Sequence, residues 1–126
     1  MVVITNLHLG HGMVRGDTFS IRRHITRMPS GVTVSSAKLT FKASTADADP
    51  GLFQKSITSS NVAGTGHVEN IGAGGVATLR FDLVAADTNL ATANANYYFD
   101  IRVTYSDGTV IALESGITQW REKVTT

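Results

Sequence analysis

The residues in this chain that could do chemistry are four histidines, ten carboxylates and one glycine-rich run. His8 and His11 lie three apart, and His24 follows in the next segment. A zinc centre needs three or four converging ligands, and no carboxylate stands at a matching spacing, so metal binding is not expected. Asp47-Ala48-Asp49 has the look of a calcium loop but lacks the further oxygen ligands and the following Glu. Ile71-Gly72-Ala73-Gly74-Gly75 resembles a phosphate cradle only in composition. Such cradles open a helix whose N-terminus holds the anion, whereas a strand-like run follows here, so a hairpin turn is expected. No Cys, no Gly-x-Ser-x-Gly and no His beside a Ser or Asp marks a nucleophile. Glu69, Glu114 and Glu122 stand singly and read as solvated positions. Arg15-Gly16-Asp17 reads as a turn into the next strand. The expectation is a non-enzyme with no cofactor. Two aromatics could serve a sugar-binding module: Tyr98, opposite in phase to Phe99, and Trp120. A lone Trp near the end of a β chain is more often core or interface.

The totals narrow the class further. A chain of 126 residues makes one domain the default. At 42% hydrophobic it can bury a core. At 17% charged it lies below the usual value of about 25%, which suits a surface packed against neighbours. A net charge of +1 lacks the basic stripe of a nucleic-acid binder. The absence of Cys excludes disulfides and thiolate metal sites. No apolar run approaches the roughly 18 residues of a membrane span, so no membrane partner is expected. The opening MVVITNLHLG lacks the charged start and long apolar stretch of a secretory signal.

The elements that must position these residues are strands. Residues 96–119, NYYFDIRVTYSDGTVIALESGITQ, carry the clearest pattern. Tyr97, Phe99, Ile101, Val103 and Tyr105 alternate with Tyr98, Asp100, Arg102 and Thr104, the two-residue period of a strand with one face on a core. Ser106-Asp107-Gly108-Thr109 supplies a tight turn. Residues 110–113 return as the partner, and Gly116 is expected to bulge or bend the chain into a further strand over 117–124. Earlier, residues 1–16 hold a short β-prone run with Val3, Thr5, Leu7 and Leu9 on one face. It reads as an edge strand or as an arm added to a neighbour's sheet. Residues 17–27 form a strand in which Arg23 falls on the apolar face, predicting a register slip or an early end. Residues 32–43 form another, with Lys38 and Lys42 on a solvated basic face. Weaker strands are expected over 52–58 and 67–71, with a flexible segment over 59–66, and a clear strand over 76–83. Asp87 is expected to cap one helical turn, with Leu90 tucked onto the sheet. Seven or eight strands with breakers about every ten residues predict an all-β fold, a single antiparallel two-sheet β-sandwich of immunoglobulin-like type. Residues 1–14 would be its arm or edge strand and 15–126 the sandwich.

Several runs also resemble a known family. Arg15-Gly16-Asp17-Thr18-Phe19 with Ala37-Lys38-Leu39-Thr40-Phe41-Lys42-Ala43 looks like the opening of small phage structural β-sandwiches. Those are similar to the N-terminal domain of siphophage baseplate upper proteins. Asp87-Thr88-Asn89-Leu90, the run from Tyr97 to Val110, Leu113-Glu114-Ser115-Gly116-Ile117 and Lys123-Val124-Thr125 fit the same pattern. Residues 44–75 depart from it, as a longer Gly/Ser-rich excursion, and the first 14 residues are an extension. The resemblance implies a non-enzymatic virion protein assembled in the host bacterial cytoplasm. It would dock as a homo-oligomer beside other virion proteins in the tail, baseplate or neck, with capsid decoration as the nearest alternative. A carbohydrate-binding module, read from Tyr98 and Trp120, is the more distant alternative. The candidate subunit contacts are Val3, Ile4, Leu7 and Leu9 in the arm, and Trp120 and Val124 in the tail.

Overall fold

The computed structural model describes residues 2–4, 13–14, 18–26, 28–49, 51–71, 76–92 and 95–121. Nine strands and one helical turn are present among them. They are β1 (Val2–Ile4), β2 (Met13–Val14), β3 (Phe19–Ile25), β4 (Val34–Lys42), β5 (Phe53–Thr58), β6 (Gly66–Ile71), β7 (Val76–Leu83), α1 (Ala85–Thr88), β8 (Asn96–Tyr105) and β9 (Val110–Arg121). They form two sheets, β1-β3-β7-β6 and β2-β9-β8-β4-β5. Hairpins join β4 to β5, β6 to β7 and β8 to β9, while the other links from β3 onward cross between sheets. The expected all-β two-sheet sandwich is present, and its strand order is that of immunoglobulin-like domains. The pairs from β3 onward are antiparallel; β1 and β2 instead lie parallel to β3 and β9 at the sheet edges.

Tyr97 adds a feature typical of such sandwiches. Its hydroxyl accepts a 2.7 Å hydrogen bond from the Thr92 backbone N–H, five residues upstream, where the chain enters β8. This is a tyrosine corner, which pins the crossover onto the strand that follows it. No disulfide links the sheets. An aromatic cluster fills the space: Phe41 lies 4.9 Å from Phe53 and 5.6 Å from Trp120, centroid to centroid, with the indole edge-on. Edge-to-face contacts of this kind suit the ring quadrupoles.

The phase of β9 is set by a bulge. Ile101 pairs with Glu114 but Arg102 pairs with Ala112, leaving Leu113 as the extra residue. Side chains in a strand alternate, so one extra residue moves every later one to the opposite face. Before the bulge Ile111 points inward; after it Glu114, Gly116, Thr118 and Trp120 do. The expected bend at Gly116 is therefore absent, and β9 runs unbroken for 12 residues. Gly116 has a different task. A Cβ there would stand 3.0 Å from the Phe99 ring, so the missing side chain gives that ring its seat.

Three polar ties hold the interior, two of them between the sheets. Arg23 does not shift the register of β3: it points inward and meets Glu114, with Nε–Oε1 at 2.5 Å and Nη2–Oε2 at 3.1 Å. Glu114 is thus a partner and not a solvated acid, because the bulge turns it in. Asn70 on β6 donates to the Val34 carbonyl at 3.1 Å and accepts from its N–H at 2.9 Å, acting as a strand neighbour for one residue of β4. Lys55, inward-facing on the edge strand β5, pairs with Asp87 at 2.7 Å and donates to the Gly64 carbonyl at 2.8 Å. The helical turn starts earlier than expected: Val84 is the N-cap, and Asp87 at the third position accepts from the Val84 N–H at 3.0 Å. Leu90 is 53% exposed, and Ala91 takes the buried place instead. Residues 62–66 close on themselves through backbone bonds between Val62 and Gly66, so this stretch is a tight loop.

Two predictions follow from these contacts. Gly66 has φ +129°, and a Cβ there would lie 1.9 Å from the Arg80 carbonyl oxygen. Gly66→Ala is expected to cost about 3 kcal/mol or more in urea unfolding, against about 1 kcal/mol for Gly31→Ala, whose turn is open. Glu114→Ala removes both carboxylate bonds of the mostly buried Arg23 guanidinium, leaving its bond to the Arg22 carbonyl, and should cost about 3 kcal/mol. The double variant Arg23→Met/Glu114→Leu should recover most of that loss.

Candidate functional site

Of the interface residues expected from sequence, Val3, Ile4 and Trp120 are described. Val3 and Ile4 lie in β1, whose backbone pairs with Ser20 and Ile21 of the same chain. Leu7, Leu9 and Val124 fall outside the described residues, as do His8, His11, Arg15-Gly16-Asp17, residues 72–75 and Glu122. Trp120 is fully buried within the chain, so it is a core residue and not a contact side chain. The bulge at Leu113 is the reason, since without it the indole would face solvent. Among the described residues no three His, Asp or Glu side chains converge. Asp47 accepts from the Ser44 N–H at 3.1 Å and Asp49 pairs with Lys42 at 2.8 Å, so both carboxylates serve their own loop.

The surface that does gather functional groups is the outer face of β9-β8-β4-β5. Cross-strand register builds it row by row. Ile117, Tyr98 and Lys42 form the first row, and Ser115, Asp100, Thr40 and Gln54 the second. Ala112, Arg102, Lys38 and Ser56 form the third, and Val110, Thr104, Ser36 and Thr58 the fourth. Strand alternation dictates this for the middle of β4 and β8, where Lys38, Thr40, Tyr98, Asp100, Arg102 and Thr104 each sit between two core residues. Gln54 donates to the Thr40 hydroxyl at 2.9 Å. Arg102 stands opposite Lys38, and that like-charge pair is offset by Asp100, 3.4 Å from the Arg102 Nε. This exposed ion pair contributes little to stability.

Where the first two rows meet, a shallow cleft of about 320 Å³ opens beside Tyr98. Thr40, Lys42, Thr45, Asp100, Ser115 and Ile117 lie around it. Tyr98 and Ile117, 39% and 38% exposed, give the cleft an apolar side with Phe99 and Gly116, and Lys42, Asp100 and Ser115 supply polar groups. The outward alternation of Tyr98, Asp100, Lys42 and Thr40 is plain in the sequence. What periodicity cannot supply is that β8 lies between β4 and β9 in this register.

No family model, curated protein or solved structure matches the chain.

The Lys42 ammonium, through its hydrogen bond and its charge, holds the Asp49 carboxyl below the usual aspartate range. A depressed folded-state value means the contribution is present at neutral pH and is lost as pH falls through that value. Lys42→Met should return Asp49 to the ordinary range in a carboxyl-detected NMR titration, with Asp107 unchanged as the internal control.

Proposed function

We propose that the chain is a non-enzymatic structural protein of a tailed-bacteriophage virion. It serves as a β-sandwich block in the tail, baseplate or neck, docking onto copies of itself and neighbouring virion proteins. The observation that carries the docking reading is the closure of one side of the sandwich. Among the described residues, the edges of β3 and β9 there are covered by β1, three residues long, and β2, two residues long. Both pairings are parallel, which is slightly weaker per residue than antiparallel. A matching segment from a neighbour can take the same register, Val2 against Phe19 and Met13 against Trp120, so intramolecular pairing converts to intermolecular pairing at little cost. The opposite side is guarded: Lys55 points inward from β5, a device that discourages edge association. The resemblance of residues 15–125 to phage β-sandwich domains supports the virion setting.

A chain beginning at residue 15 is therefore expected to stay folded but to lose assembly. Native mass spectrometry of full-length and truncated protein, with proteomics of purified tailed-phage particles, tests this. Closed oligomers of the full chain, monomers of the truncated one and detection in tails support the reading. Detection in heads alone favours capsid decoration. A full-length monomer at every concentration, absent from particles, overturns it.

A further inference from the structure

We propose that the cleft beside Tyr98 is a binding subsite for a neutral saccharide, on a face separate from the β1/β2 edge. A sugar ring has an apolar face of C–H groups and a rim of hydroxyls, and it needs a surface of the same dual character. The first two rows of the outer face supply one. Tyr98 offers an aromatic ring that the core does not use, with Ile117 beside it as its cross-strand partner. Asp100 follows two residues along the same strand and face, about 7 Å away at the usual strand rise. Thr40 and Ser115 flank it in register. A sugar stacked on Tyr98 can thus reach the Asp100 carboxylate and the Ser115 hydroxyl, while the buried Thr40 hydroxyl, bonded to Gln54, backs the site. Lys42 stands on the other side of Tyr98, held by its 2.8 Å contact with Asp49, so a donor is fixed before binding. A few placed polar groups around an apolar wall is the general form of a small-ligand site, and about 320 Å³ lies at the lower end of the usual size.

Charge selects among ligands that stack on aromatic rings. A nucleotide also stacks, but its phosphate needs uncompensated cations. Here Lys42 is engaged by Asp49 and Arg102 by Asp100, so each of these cations has its counter-charge. A neutral sugar needs no free cation. The openness of the site fits a chain end or single residue of a larger glycan and implies weak, millimolar affinity for one unit, which several copies in an assembly would raise through avidity.

The test is an ¹H–¹⁵N NMR titration of the full-length protein with glucose, galactose, N-acetylglucosamine and maltose, and with AMP in parallel. The expected result is saturable shifts at residues 40–42, 98–100 and 115–117 with at least one sugar. Affinity should fall about tenfold in Tyr98→Ala, the scale of one ring contact, and less in Tyr98→Phe. Asp100→Asn should weaken binding while leaving the fold intact, as thermal unfolding of each variant would verify. No shifts with any of these sugars, shifts unaltered in Tyr98→Ala, or binding of AMP alone would each overturn the proposal.

Discussion

One extra residue in β9 decides which side chains of the last strand are core and which are surface. Leu113 stands unpaired between Glu114 and Ala112, so the residues after it change face. Glu114 turns in to meet Arg23 of the opposite sheet, Gly116 seats the Phe99 ring, and Trp120 reaches Phe41 and Phe53. Ile117 turns out beside Tyr98 at the same step. The Arg23–Glu114 tie, the aromatic cluster and the outward cleft all depend on that single change of phase. Bulges act in this way generally, re-aiming side chains at the end of a pairing.

The interior and the surface then divide their tasks. The interior is held by ties that differ in chemistry along the sandwich: an ion pair at Arg23, a side-chain amide at Asn70 and an ammonium at Lys55. Each satisfies a polar group that would otherwise be buried at a cost. The surface keeps two features that stability does not explain: edges closed by two short parallel strands, and an outer face carrying an exposed aromatic among small polar residues. The first fits a block that pairs with its neighbours, and the second fits a ligand with one apolar face.

Much of the fold was legible in the sequence. The run from Val76 to Leu83 alternates cleanly and is a strand over those same residues. The strand at Tyr97 and its turn at Gly108, which has φ +90°, follow from period and glycine chemistry. What was not legible involves pairs distant in sequence. Arg23 on an apolar face reads as a defect until Glu114, 91 residues later, is placed beside it. Glycine in a strand signals a break or a close approach with equal force. At Gly116 the second applied, and only the position of Phe99 decides it. Trp120 read as core or as contact because its face depends on a bulge that no local pattern marks. Of the candidate site, the outward residues were visible one strand at a time, while their grouping needed the strand order.

Trp120 is the only tryptophan in the chain, so its fluorescence reports the central claim directly. With Leu113 setting the phase of β9, the emission should be blue-shifted, resistant to iodide quenching and independent of protein concentration. Emission that is red-shifted and readily quenched in dilute protein, becoming protected only as copies associate, would contradict the account. It would place the indole at a subunit contact and remove the basis for the inward turn of β9.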